Sequence, residues 1–430
     1  MAERMDPRQL LLDSFHAAVA AADPLKIVPP HLPGPPRGKT LAVGAGKAAA
    51  SMAAAVERHW PGGADLSGLV ITRYAHSLAT RRIRVIEAGH PVPDESGEAA
   101  AREILAQVRD LGEDDLLLAL VSGGGSSLLS LPAEGVGMAD LKEITRALLM
   151  CGAAIQEINT VRKHLSAIQG GRLAAACRAQ ILALVISDVT GDDPTHIASG
   201  PCAPDPSMYR DALEILDKYS LPAPASVRRH LENGARGALP ETPKPGDPVF
   251  ARAENRVIAT AHRSLEAAAE VFRANGIAPA ILGDSITGEA REVGKVMAAV
   301  AREVRRFGSP FRPPVALISG GECTVTVHAQ NKAGRGGRCS EFLLSLAVEL
   351  DGVEGVHAIA ADTDGIDGSE DNAGALLAPD SLARATKRNL DAKKLLAGND
   401  AWTFFSGIGD LVHTGPTLTN VNDYRAILVL

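Results

Sequence analysis

With 430 residues, 46% of them apolar and 22% charged, the chain can bury a large core and build two domains, which excludes a peptide, a disordered tail or a disulfide-stapled miniprotein. Lys and Arg number 44 against 51 Asp and Glu, a net charge of −7 with no block of like charge, so no nucleic-acid footprint appears and a small molecule is the expected partner. The five cysteines, at 151, 177, 202, 323 and 339, form no CxxC pair, which argues against zinc and a secreted disulfide framework and for a reducing cytoplasm.

The start, 1–24, carries Glu3, Asp6 and Asp13 and no long apolar run, so neither a signal peptide nor a membrane anchor is expected. A Pro/Gly stretch at 29–38 reads as a surface loop. Beyond it, short continuous apolar runs alternate with segments of helical period, the pattern of parallel strands covered on both faces by helices. Strands are predicted at 40–43, 68–72, 84–88, 116–121, 180–187, 256–260, 279–282, 315–319, 324–327 and 356–361, with a closing strand at 425–430. Helices are predicted at 47–60, 96–111, 141–150, 262–275, 289–307 and 339–350. The segment 233–248 has Gly and Pro but no apolar period and reads as a linker, dividing an N-terminal domain, 1–240, from a C-terminal one, 241–430. The fold class is α/β.

In such sheets ligands bind where strands end and helix N-termini present backbone N–H groups. Five segments answer that description. After the first strand, Gly44-Ala45-Gly46-Lys47 is a glycine turn entering a helix with a cation at its mouth; it fits neither a full dinucleotide fingerprint nor a Walker A. After 116–121, Ser122-Gly123-Gly124-Gly125-Ser126-Ser127 lets backbone and hydroxyls approach an anion. Asp188 and Asp192, at the end of 180–187, suit Mg²⁺ or proton transfer, whereas Asp193 before Pro194 could equally form only a turn, and His196 beside them reads as a bystander. Ser319-Gly320-Gly321-Glu322 echoes the second segment, and Gly334 to Arg338 delivers Arg335 and Arg338 just before a helix, suited to phosphate. Asp362-Thr363-Asp364-Gly365 follows 356–361; it lacks the EF-hand ligands and fits Mg²⁺ or hydroxyl activation. Glycine loops, one lysine, arginines and strand-end carboxylates are what phosphoryl transfer requires, so a kinase leads.

These motifs resemble the glycerate 2-kinase family with a C-terminal MOFRL domain, members of which are also labelled hydroxypyruvate reductases. The resembling blocks run through the chain: VGAGKAAASM at 43–52, GHPVPD at 89–94, LVSGGGSSLLSLP at 120–132, INTVRKHLS at 158–166, SDVTGDDPTHIASGP at 187–201, ISGGECTVTV at 318–327, GRGGR at 334–338, ADTDGIDGSEDNAGA at 361–375 and GPTLTNVND at 415–423. The resemblance implies a Rossmann-like N-terminal domain, a smaller C-terminal α/β domain and an interdomain cleft. It implies transfer of the ATP γ-phosphate to the 2-hydroxyl of D-glycerate with Mg²⁺, and it matches Lys47, Arg338 and Asp364 to active-site motifs. On that footing Lys47 and Arg338 meet substrate carboxylate or phosphate, and Asp192 or Asp364 is base or metal ligand. Two positions depart: Cys339-Ser340-Glu341 stands where the family has Asn-Gln-Glu, and His196 where a small apolar residue is usual.

Two rivals remain. An NAD(P)H-dependent hydroxypyruvate reductase is supported by Gly44 and Gly46 but needs a ribose-binding carboxylate after the second strand, which is absent. A non-catalytic sugar-acid sensor would use the same loops without turnover. No membrane partner is expected, and homo-oligomerisation is left open.

Overall fold

The computed structural model describes residues 6–327 and 334–430, and the chain forms two compact units. One is Pro24–Ile258; the other joins the residues up to Asp23 to Ala259–Leu430. No helix among the described residues is long and apolar enough to cross a membrane.

The first unit holds β1 (Thr40–Ala45), β2 (Leu66–Arg73), β3 (Ile83–Ala88), β4 (Leu116–Val121), β5 (Gln180–Ile186) and β6 (Ala253–Ala259), in sheet order β3-β2-β1-β4-β5-β6. The pairings from β3 through β5 are all parallel. Every residue of β1 and β4 is buried, as continuous apolar runs in a doubly covered parallel sheet demand. On one face Val43, Leu117 and Ala119 pack with Ile104, Leu105 and Val108 of the helix Glu95–Arg109. That helix starts where the Asp94 carboxylate accepts from Gly97 N at 3.0 Å. A separate layer of helices, Met138–Met150, Ile155–His164, Tyr209–Lys218 and Ala225–Ala235, closes over Leu148, Ile158, Leu216 and Leu231.

The boundary lies at 258/259 rather than near 240, because the apparent linker is tied into the first unit. Glu241 accepts from Tyr209 N at 3.1 Å and faces His164 Nε2 at 3.3 Å, while Thr242 Oγ1 donates to the buried Asp205 at 3.0 Å. Polar anchoring of this kind leaves no apolar period to read.

The second unit contains β7 (Ala278–Gly283), β8 (Gly288–Glu289), β9 (Val315–Gly321), β10 (Cys323–Thr324), β11 (Val356–Asp362), β12 (Gly374–Leu377), β13 (Leu411–Val412) and β14 (Asp423–Val429). Its main sheet runs β13-β12-β11-β14-β9-β7, with β8 and β10 as a separate pair. Here the parallel expectation gives way: β14 is antiparallel to both β11 and β9, and β12 is antiparallel to β11. Both faces are covered even so, by Ala290–Phe307, Arg338–Leu350 and Ala401–Ile408 on one side and by Pro7–Ala20 and Ala261–Ala274 on the other, so the strands remain continuously apolar and direction is invisible in the pattern. The strand expected at 324–327 is the two-residue β10.

The helix Pro7–Ala20 is capped by Asp6, opens with a proline and buries Leu11, Phe15 and Ala18 along one stripe. It belongs to the second unit, where Tyr424 Oη donates to Ser14 Oγ at 2.8 Å and Arg8 pairs with Asp410 at 2.7 Å.

Candidate active-site loops

In the first unit β1 and β4 lie side by side, Gly44 opposite Leu120 and Ala45 opposite Val121, so their two glycine loops emerge together at the point where the strand order reverses. The loops interlock: Lys47 N donates to Gly123 O at 2.8 Å, Ala48 N to Ser122 Oγ at 3.1 Å, and Ser122 N to Ala45 O at 3.2 Å. Gly46 has φ +140°, and a Cβ there would sit 2.1 Å from Ser122 Oγ, so no other residue fits. A Cβ at Gly124 would meet the His90 ring at 2.9 Å and Lys47 Cγ at 3.5 Å, which places the Lys47 stem along this loop. Lys47 is 9% exposed, and the helix Ala49–His59 that follows has no side-chain cap on its first turn.

The segment after β5 reaches the same place. A Cβ at Gly125 would lie 2.5 Å from Ala198 Cβ, and Ser199 Oγ stands 2.8 Å from Ser126 Oγ and 3.3 Å from Asn159 Oδ1. Ala198, Ser199 and Gly200 are consecutive left-handed residues, held by Gly170 N to Ser199 O at 2.9 Å and Gly171 N to Gly200 O at 2.7 Å. Asp188 and Asp192 are half-buried, and Asp192 makes no side-chain hydrogen bond or ion pair among the described residues. Asp193 accepts from Thr195 N at 3.0 Å, the turn role. Burial, reinforced by the Lys163 charge, lowers the His196 pKa below its ordinary value.

The second unit looks different. Ser319, Gly320 and Gly321 are not a loop but the end of β9, paired with Arg425, Tyr424 and Asp423; the partner strand extends the ladder through the glycines. Arg338 is held by three carboxylates, Nε to Asp423 at 2.7 Å, Nη1 to Glu322 at 2.6 Å and Nη2 to Asp362 at 2.7 Å. Burial pushes the Asp423 carboxyl up, but the Arg338 and Arg425 guanidiniums outweigh it and hold its pKa below the ordinary range. Arg335 stacks on Trp402 at 3.5 Å and pairs with Glu370 at 2.7 Å.

The aspartates of the 362–367 loop also accept backbone hydrogen bonds. Asp362 accepts from Asp364 N at 3.0 Å and Asp364 from Ile366 N at 2.9 Å. Asp367, a member of the same acidic loop to which the sequence alone assigned no role of its own, accepts from Cys339 N at 2.9 Å and Ser340 N at 2.8 Å and so caps the helix Arg338–Leu350. Its burial pushes its pKa up to about 6. Cys339 and Ser340 are buried, and Glu341 pairs with Arg291 and accepts from Asn399 Nδ2 at 3.0 Å, so the departure from Asn-Gln-Glu lies inside the core. Among the described residues no group of three or more His, Cys, Asp or Glu is placed to hold a metal.

A doubly wound parallel domain with glycine loops at its switch point, joined to a mixed-sheet α/β domain, is the class these features define. The profile described as a domain of unknown function (DUF4147) matches residues 10–232, and the MOFRL family profile matches 315–423. A protein of Agrobacterium vitis with the provisional name hydroxypyruvate reductase is 53% identical, over 98% of this chain and 94% of its own length. The D-glycerate 2-kinase of Thermotoga maritima is 39% identical over 97% of both chains. The crystal structure of a Thermotoga maritima glycerate kinase superposes with a TM-score of 0.85 at 38% identity, covering 98% of this chain and 99% of that one. The chain belongs to the MOFRL-domain glycerate kinase family.

Proposed function

We propose that the protein is an ATP-dependent glycerate 2-kinase, moving the γ-phosphate to the 2-hydroxyl of D-glycerate to give 2-phosphoglycerate and ADP. The observation that carries this is the interlocked pair of glycine loops around Lys47, in a chain alike over its whole length to a D-glycerate 2-kinase. Phosphoryl transfer depends mostly on positioning and charge neutralisation. Lys47 and the loop N–H groups of Gly123, Gly124 and Ser126, which have no acceptor among the described residues, would take the donor phosphates. Arg338 would reach an anion by exchanging its most exposed partner, Glu322, whose side chain is 55% exposed against 5% for Asp362 and 0% for Asp423.

Asp188 and Asp192 fit Mg²⁺ as it is commonly held, by one or two carboxylates with phosphates and water completing the shell; when bound, the ion neutralises phosphate charge. The acceptor proton goes to a carboxylate, Asp192 or Asp364, and the pH profiles of Asp192→Asn and Asp364→Asn identify which. Five unpaired cysteines, four of them buried, suit a reducing cytoplasm.

The provisional name of the Agrobacterium vitis relative favours a second reading, NAD(P)H-dependent reduction of hydroxypyruvate. β2 ends Thr72-Arg73 without the carboxylate that a ribose needs. One experiment separates the readings: ADP release with D-glycerate, product phosphorus NMR, and 340 nm absorbance with hydroxypyruvate and NADH. ADP formation with a phosphoester at C2 is expected; steady NADH oxidation overturns the kinase, and binding of D-glycerate without turnover points to a sensor.

A further inference from the structure

Ser126 sits in the second glycine loop with its backbone fixed. Its carbonyl accepts from Gln169 Nε2 at 2.8 Å and from Ser130 Oγ at 3.3 Å, while its N–H has no acceptor among the described residues. The polar partner of its side chain is the Ser199 hydroxyl, with the two oxygens 2.8 Å apart. Ser126 is half-buried and Ser199 fully buried, so the first hydroxyl borders solvent and the second stands behind it.

Ser199 is carried there by backbone that residues with a Cβ adopt at a cost. Ala198 has φ 50° and ψ 28° and Ser199 has φ 57°, two left-handed residues in succession ahead of the left-handed Gly200. The surroundings impose the turn: Gly170 N donates to Ser199 O at 2.9 Å, Gly171 N to Gly200 O at 2.7 Å, and Lys163 Nζ to Thr195 Oγ1 at 3.0 Å. Strain maintained in this way points to a task for the side chain that the turn presents. Ala198 packs on Gly125, where a Cβ would lie 2.5 Å from Ala198 Cβ, and this close approach seats the Ser199 hydroxyl against Ser126.

The protons available limit what these hydroxyls can do. Asn159 Nδ2 donates to His196 O at 3.4 Å, which leaves Asn159 Oδ1 facing Ser199 Oγ at 3.3 Å, and an amide oxygen only accepts. Ser199 therefore has one proton for two acceptors, Asn159 Oδ1 and Ser126 Oγ. When the proton goes to Asn159, Ser126 must supply the proton of the 2.8 Å contact and keeps none for a ligand. When it goes to Ser126, the Ser126 proton is released outward, and the accepted bond polarises Ser126 into a stronger donor. An anion at the loop selects the second arrangement.

We propose that Ser199 is a positioning residue of the phosphate site: its hydroxyl, held by the left-handed turn and by Asn159, donates to Ser126 Oγ and so directs the Ser126 proton onto a phosphoryl group of the donor. Asn159 takes the Ser199 proton back when the site empties. This deepens the kinase reading and rests on it for the phosphate at the glycine loops, not for the hydroxy acid that receives it.

The test is a double-mutant cycle in the full-length enzyme with Ser126→Ala, Ser199→Ala and the pair. It is read as kcat/KM for ATP, from ADP release with D-glycerate, and as ATP affinity by calorimetry in the presence of Mg²⁺. Ser126→Ala loses a hydrogen bond to a charged group, so kcat/KM for ATP should fall about 10- to 100-fold. Ser199→Ala should lower it about 5- to 10-fold by itself, and by less than about twofold once residue 126 is alanine, because it acts only through that hydroxyl. A merely structural Ser199 costs the same in both backgrounds, and equal losses overturn the proposal. Ser199→Gly covers the case in which Ser199→Ala fails to fold, since glycine relieves the left-handed strain and removes the same hydroxyl. It should turn over as slowly as Ser199→Ala, and wild-type turnover in Ser199→Gly overturns the proposal. ATP binding that follows the same non-additive cycle in a protein releasing no ADP with D-glycerate sustains the Ser199 role and sinks the glycerate kinase. A wild type that binds no ATP sinks both.

Discussion

Asp367 accepts two helix N–H groups, yet burial dominates and raises its pKa from the ordinary 3.8 to about 6. The gap corresponds to about 3 kcal/mol as an upper figure. Because the folded-state value lies above the unfolded one, the fold favours the protonated acid. The contribution is present in full below pH 3.8 and is lost as pH rises through 6. Asp367→Asn removes the titration while keeping one acceptor oxygen. Urea unfolding of both proteins from pH 4 to 7 should show the stability difference, wild type minus variant, falling by up to about 3 kcal/mol as pH rises. The variant thus loses less at pH 7 than at pH 4. A difference that stays flat across this range, or that grows in favour of wild type, would refute the reasoning and mean that the capping bonds outweigh burial.

Lys47→Met should lower kcat by about 10²- to 10³-fold while circular dichroism and melting remain near wild type, since a cation facing developing charge is lost rather than core packing; retained turnover rules out the anion role. Lys163→Met leaves Asp205 as a buried, uncompensated charge and should cost about 3–5 kcal/mol in chemical denaturation. Adding Asp205→Leu should recover much of that, and a double variant no better than the single one counts against the pairing. Tyr424→Phe removes the buried hydrogen bond to Ser14, whose hydroxyl keeps its own bond to Leu11 O, and should cost about 1 kcal/mol, read as a lower urea midpoint; no change there contradicts the docking of the first helix.

The first sheet was readable from the chain because a parallel strand buried on both faces is a plain apolar run, and β4 was placed residue for residue. The glycine loops around Lys47 were readable for the same kind of reason: backbone in close contact leaves glycine as the only choice. Strand direction was not, since β9 and β14 are equally apolar whichever way they run. Arg338 read as a free cation because its three carboxylates are 16, 24 and 85 residues away along the chain. Asp367 looked like one more member of an acidic loop, and nothing local reveals that it faces a helix start.

The helix Pro7–Ala20 precedes the whole of the first unit in the chain, yet it packs on strands that follow that unit. Its binding surface includes Ile318, Ile359 and Tyr424, all made after the whole of Pro24–Ile258. Until those strands are made, Leu11 and Phe15 lack this cover, so chains stalled before them should expose a sticky amphipathic segment tethered to an otherwise finished domain.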